Sequence, residues 1–249
     1  MSHFIACLCF FFSAAANAQI VNIESKRMQT DTIGWSGSLG TTFSFTKNVQ
    51  EVLNLNANAH VQYKTENGLY LFLADYNLLK GDQQELANNM FYHLRYNRRV
   101  NNWLRWEVFN QWQQNAVTGI RLRTLFGTGP RFKIHSSERF RLYAATAAMY
   151  EYEEEQMKPA VFHRDLRSSS YLSFSYTPNP VFEIVSTSFY QPLFNQLNDY
   201  RIMNQIALNI KLTRRLLVTT SWDYLYDAFP AGNNRGSNFT LTNGFTYTF

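Results

Sequence analysis

From residue 33 to the last residue, apolar and polar side chains alternate at a period of two with few breaks. Only an extended strand sends successive side chains to opposite faces, so this pattern confines the chain to β-structure. Leu53, Leu55, Ala57, Ala59, Val61 and Tyr63 share one face, and Asn54, Asn56, Asn58, His60, Gln62 and Lys64 share the other. The final segment sets Phe239, Leu241, Phe245, Tyr247 and Phe249 against Thr240, Thr242, Gly244, Thr246 and Thr248, with Asn243 breaking the apolar row.

The alternation predicts strands near 32–46, 51–64, 69–79, 90–97, 103–113, 119–134, 139–152, 166–177, 181–190, 200–212, 216–227 and 237–249. The third and ninth are the least clear, because Tyr70, Phe72 and Tyr76 compete with Leu69, Leu71 and Leu73 for the apolar face, and Phe182 and Ile184 compete with Val181 and Val185. Connections after even-numbered strands are tight, as in Thr65-Glu66-Asn67-Gly68 and Pro178-Asn179-Pro180, whereas several after odd-numbered strands are long, such as Lys80 to Asn89 and Glu153 to Asp165. An even strand count with short turns at one end and longer loops at the other describes a closed antiparallel up-and-down transmembrane β-barrel of about twelve strands. A soluble sandwich would bury its apolar faces against each other and needs no such asymmetry.

The aromatic content fits the same reading. The chain holds 21 Phe, 15 Tyr and 5 Trp, yet its mean hydropathy is −0.32. Strands with one greasy and one wet face reconcile the two. In hydrocarbon every backbone group must pair internally, which a sheet achieves by closing on itself, with lipid outside and a polar lumen inside. Trp35, Tyr63, Tyr92, Trp112, Tyr150, Tyr152, Tyr200, Trp222, Tyr224, Tyr226 and Tyr247 fall on the outward rows as interfacial girdles.

At the amino terminus, Phe4 to Phe12 form an apolar stretch followed by Ser13-Ala14-Ala15-Ala16-Asn17-Ala18, which predicts a cleaved signal peptide over 1–18, although its first residues carry no Lys or Arg. A periplasmic segment over 19–31 and a barrel over 32–249 follow. Cys7 and Cys9 both lie in the part removed, so the mature chain has no thiol for a disulfide or a metal. No cofactor is expected. The formal charge of +5 would permit nucleic-acid binding, but export and the absence of a Lys/Arg-dense helix argue against it. The expected partners are outer-membrane lipid, lipopolysaccharide and the barrel assembly machinery, with Phe245, Tyr247 and Phe249 as the assembly signal.

Candidate chemistry sits on the inward rows. Parity points Arg95, Arg105, Arg121, Arg123, Arg131, Arg139, Arg141 and Arg167 into the lumen, with Glu107, Glu151, Glu183 and Asp223 as partners. Such a cluster either favours anionic solutes at a constriction or packs a narrow lumen with ion pairs; the second fits a barrel of intermediate size better. The run Glu151-Tyr152-Glu153-Glu154-Glu155 reads as a solvated charge run entering a loop rather than a cation site bridging lipopolysaccharide phosphates. His60, His93, His135 and His163, with Ser36, Ser38, Ser173 and Ser175 on inward rows, raise a membrane esterase, but no triad assembles from spacing. Gly127 and Gly129 form a lone Gly-x-Gly within a strand, which marks a bend or close approach rather than a phosphate cradle.

Several segments carry a family resemblance: Tyr190-Gln191-Pro192-Leu193-Phe194, Asp199-Tyr200-Arg201, Trp222 to Asp227 before Pro230, and Asn243 to Phe249. Arg123 with Gly127-Thr128-Gly129-Pro130, and Tyr150-Glu151-Tyr152-Glu153, add its middle section. Over roughly residues 115 to 249 the chain resembles a domain-of-unknown-function family that includes salt-induced outer-membrane proteins of Gram-negative bacteria. That resemblance implies an outer-membrane barrel and assigns no catalytic residue. The expectation is a non-enzymatic barrel, either a narrow pore or a plugged one; the alternatives are a lipid-modifying esterase or deacylase and a surface-binding barrel.

Overall fold

A computed structural model describes residues 33–47, 51–81, 84–116, 118–213, 216–231 and 236–247. The predicted signal peptide, the predicted periplasmic segment and Phe249 lie outside the described residues. Twelve strands follow one another: β1 (Gly34–Lys47), β2 (Glu51–Lys64), β3 (Gly68–Gly81), β4 (Gln84–Arg99), β5 (Leu104–Asn115) and β6 (Ile120–Ser136), then β7 (Phe140–Glu155), β8 (Phe162–Asn179), β9 (Phe182–Pro192), β10 (Tyr200–Lys211), β11 (Leu216–Asp227) and β12 (Ser237–Tyr247). They form one sheet in sequence order, every neighbouring pair antiparallel. Among the described residues no ladder joins β12 to β1.

The sheet is strongly curled. Neighbouring strands lie ~4.8 Å apart, so strands three places apart are separated by about 14 Å around the wall. Yet Arg201 on β10 hydrogen-bonds Glu151 on β7, and the Tyr171 hydroxyl on β8 donates to Glu107 on β5. Side chains reach across a concave interior, and that interior holds the charged residues.

Side chains divide by parity about this curl. Arg123 and Glu151 are 1% exposed, while Leu39, Trp35 and Phe43 on the opposite face are 80%, 76% and 67% exposed. Soluble monomers do not present apolar rows of this extent to water. The outward aromatics form two belts. At the end of the short turns, Trp35, Tyr63, Tyr70 and Tyr96 stand side by side on β1 to β4, with ring centroids 4.8, 6.5 and 4.5 Å apart. At the loop end, Tyr190, Tyr200 and Tyr226 do the same at 5.8 and 5.7 Å. On β7, Phe140 packs at the turn end and Tyr152 at the loop end. Twelve residues at ~3.4 Å with a ~40° tilt separate them by about 30 Å along the axis, close to the thickness of a hydrocarbon layer.

One open choice is resolved and two expectations are corrected. On β3 the leucines win the inner face: Leu71 and Leu73 are buried with Phe91, and Tyr70 joins the outer belt. In the long connection expected over Lys80 to Asn89, Lys80, Gly81 and Gln84 to Asn89 are strand, because β3 and β4 pair from Gly68↔Arg98 to Gly81↔Gln84. There the ladder continues where alternation has faded, as it can once both faces meet water. The acidic run is strand too: β7 extends to Glu155, with Glu151, Glu153 and Glu155 buried inward.

Candidate functional site

The inward face carries two charged clusters at different heights. Nearer the loop end, Glu151 is the hub. Arg201 donates through Nη1 to both of its oxygens at 2.7 and 2.9 Å, Arg123 donates through Nε at 2.9 Å, and Arg167 Nε lies at 3.1 Å. The outer ends of these guanidiniums are also held. Arg201 Nε donates to Asp227 at 2.9 Å, Arg167 Nη1 to Asp199 at 2.8 Å, and Arg123 Nη2 sits beside Glu153. The planar fork of arginine suits this, since each guanidinium can serve two carboxylates at once. The network ties β6, β7, β8, β10, β11 and the connection before β10 into one girdle.

Nearer the turn end, Glu107 lies between Arg95 Nη1 at 3.6 Å and Arg131 Nε at 3.8 Å, and accepts the Tyr171 hydroxyl at 3.0 Å. The Arg131 guanidinium also rests on the Tyr143 ring, 4.2 Å from its centroid. Between the two clusters pack Phe109, Leu125 and Met149, with Ala145, Tyr171, Phe189, Met203 and Leu225 beside them. The cavity enclosed there is about 40 Å³, room for a few waters. Gly127 makes this packing possible: a Cβ there would stand 2.2 Å from Phe109 Cζ. Its place in the Gly-x-Gly pair is therefore a close approach, as the sequence suggests.

The sequence-derived cluster divides accordingly. Arg95, Glu107, Arg123, Arg131, Glu151 and Arg167 are buried on the inner face. Arg105 and Arg141 are half-buried at the turn-end mouth. Arg121 and Arg139 are not in the lumen. The β6–β7 register shifts between Ile120 and Leu122, so Arg121 occupies a bulge, where parity fails; its side chain is 67% exposed and pairs with Glu154 at 2.6 Å. Arg139 sits exposed on the turn before β7. Glu183 and Asp223 serve amides rather than arginines, accepting from Asn209 and Gln205 respectively. The alternation does not single out Arg201, Glu153, Asp199 and Asp227. Arg201 and Asp227 are direct cross-strand partners, a fact held in the β10–β11 register rather than in either segment.

His93 is fixed as a structural group. Arg95 Nε donates to its Nε2 at 3.3 Å, which places the proton on Nδ1, 3.1 Å from Gln111 Oε1, and Gln111 passes a hydrogen bond on to Gln113. The ring lies between Phe91 and Phe109. His163 Nε2 meets Glu155 at 2.7 Å, and His135 packs on Phe140. His60 stands across from Ser38 in the β1–β2 register.

The mouth at the turn end differs. A cavity of about 640 Å³ opens there, lined by Lys64, Arg99, Arg105, Arg131, Lys133 and Arg141 against two carboxylates, Glu66 and Glu138.

A family model described as a protein of unknown function, DUF481, matches residues 33–249. No curated protein matches the sequence. Among solved structures, the NanC porin is similar at 12% identity and a TM-score of 0.50, over 79% of this chain and 94% of that one. The translocator domain of the autotransporter NalP from Neisseria meningitidis follows at 8% identity and 0.45, over 91% of each chain. A bacterial polysaccharide outer membrane secretin aligns at 10% and 0.45, over 84% and 89%. The first of these shows a shared porin-like fold. The segments that carry the sequence resemblance meet in the girdle: Arg123, Glu151, Glu153, Asp199, Arg201 and Asp227 all belong to them.

Proposed function

The chain belongs to that family of unknown function, DUF481, and on that premise we propose that it is an integral outer-membrane barrel, closed by pairing of β12 with β1, whose lumen is constricted rather than open. The observation that carries this reading is the inversion of the interior: ion pairs are buried inside while aliphatic and aromatic rows stand exposed outside between two aromatic belts. The turn end faces the periplasm, the usual side for short connections. At the loop end, outward Arg121 and Arg164 stand where lipopolysaccharide phosphates would lie. Phe245, Tyr247 and Phe249 serve as the signal to the assembly machinery, and deleting Phe249 should lower the yield of assembled barrel in cells.

The constriction rests on the Glu151 girdle and the Tyr171–Glu107 contact, both of which cross the interior. The barrel is read as non-catalytic, because the Nε2 lone pair of His93 is engaged by Arg95 and its Nδ1 proton by Gln111. Equal lipid hydrolysis by wild type and His60→Ala would exclude His60 from any esterase role; loss of a measurable activity in that variant would revive the enzyme reading. In planar bilayers the purified barrel should give no steps of open-porin size. Such steps from the unmodified protein would contradict the constriction.

A further inference from the structure

We infer that the turn-end mouth is a binding site for an oxyanion bearing two or more negative charges, a phosphate or carboxylate compound. Arg99, Arg105 and Arg131 face one another in direct register across β4, β5 and β6, as Arg99↔Arg105 and Arg105↔Arg131. Like charges directly opposed destabilise a sheet unless something neutralises them. Arg131 is partly compensated by Glu107 and Tyr143. Arg99, Arg105 and Lys133 make no ion pair among the described residues.

The site is shaped as well as charged. Its cavity of about 640 Å³ lies in the range of small-molecule pockets, and Tyr143 and Ser173 add neutral hydroxyls to the wall. Arg131, 4% exposed and held on the Tyr143 ring, is fixed in place before any ligand arrives. Arginine forks on adjacent strands match the paired oxygens of phosphate and carboxylate, which a single flexible lysine does not. Six cationic groups line the mouth against two carboxylates, Glu66 and Glu138, with Glu107 beneath Arg131. This inference goes beyond the proposed constriction, since anions can be bound at a mouth whether or not the lumen conducts.

The test is titration calorimetry on the refolded full chain in a non-ionic detergent at ~20 mM salt, with inorganic pyrophosphate and citrate as probes and maltotriose as the neutral control. Wild type should bind pyrophosphate, citrate or both, and not maltotriose; preference between the two anions assigns phosphate or carboxylate chemistry. The double variant Arg105→Gln/Lys133→Gln should weaken binding about tenfold or more, because both side chains are unpaired and line the cavity. Arg121→Gln, which removes one positive charge outside the lumen, should change it less than ~2-fold and is compared with Arg105→Gln alone. No binding of either anion by wild type overturns the inference, as does equal binding by wild type and the double variant. Folding of each variant is checked by its heat-modifiable migration, and Arg105→Gln alone serves if the double variant does not refold.

Discussion

The two ends of the interior treat the same residue type in opposite ways. At the loop end, Arg123, Arg167 and Arg201 each face at least two acidic residues, and their side chains are 6% exposed or less. At the turn end, Arg99 and Arg105 share a wet cavity with little to neutralise them. Arginine thus builds structure where it is buried with partners and leaves a field where it is not. Guanidiniums withdrawn from water need matched carboxylates, whereas those at an aqueous mouth tolerate their surplus through hydration and mobile counterions. On the proposed reading the loop-end girdle braces the wall, and the turn-end mouth offers its surplus to anions.

Removing the hub of the girdle has the largest expected effect. Glu151→Ala takes one buried carboxylate from each of three guanidiniums and should cost about 3–5 kcal/mol in urea unfolding from lipid vesicles. A loss below ~1 kcal/mol would mean that the girdle is filler. Tyr171→Phe, which deletes the hydroxyl on Glu107, should cost about 1.5–3 kcal/mol by the same measurement. A double-mutant cycle with Arg201→Gln and Asp227→Asn should show a coupling of about 1–3 kcal/mol. The same cycle on Arg121 and Glu154, an ion pair of similar distance at an exposed bulge, should give ~0–1 kcal/mol. At the mouth, Arg105→Gln should move stability by no more than ~0.5 kcal/mol either way, so that its effect falls on anions alone.

Much of the wall was legible because a strand's side-chain period is fixed at two. β2, β10 and β12 follow from their own residues, and the aromatics expected outward, such as Trp35, Tyr63 and Tyr200, stand in the belts. Where leucine and tyrosine compete, as on β3, hydropathy does not choose a face, because Tyr70 is at home in the interfacial belt that Leu71 leaves to it. Arg121 was misplaced because a bulge advances the chain by one residue and reverses the parity.

The site was legible only as a list of inward charges. Its pairing depends on register and curl, which bring Arg201 across to Glu151 from three strands away. Glu153 was hidden by ending β7 too early, since a run of glutamates reads as solvent-facing until guanidiniums from β6 and β10 meet it.

In a closed barrel, adjacent residues of one strand face lipid and lumen in turn. Residues 19–249 contain no cysteine, so single cysteines can be placed without background. Spin labels at Ala207, Leu208, Asn209 and Ile210 of β10 in reconstituted vesicles should alternate. Leu208 and Ile210 should be relaxed chiefly by dissolved oxygen, and Ala207 and Asn209 should be shielded from it. Uniform accessibility along β10, or oxygen contact at Ala207 and Asn209 in place of Leu208 and Ile210, would contradict a lipid-facing exterior.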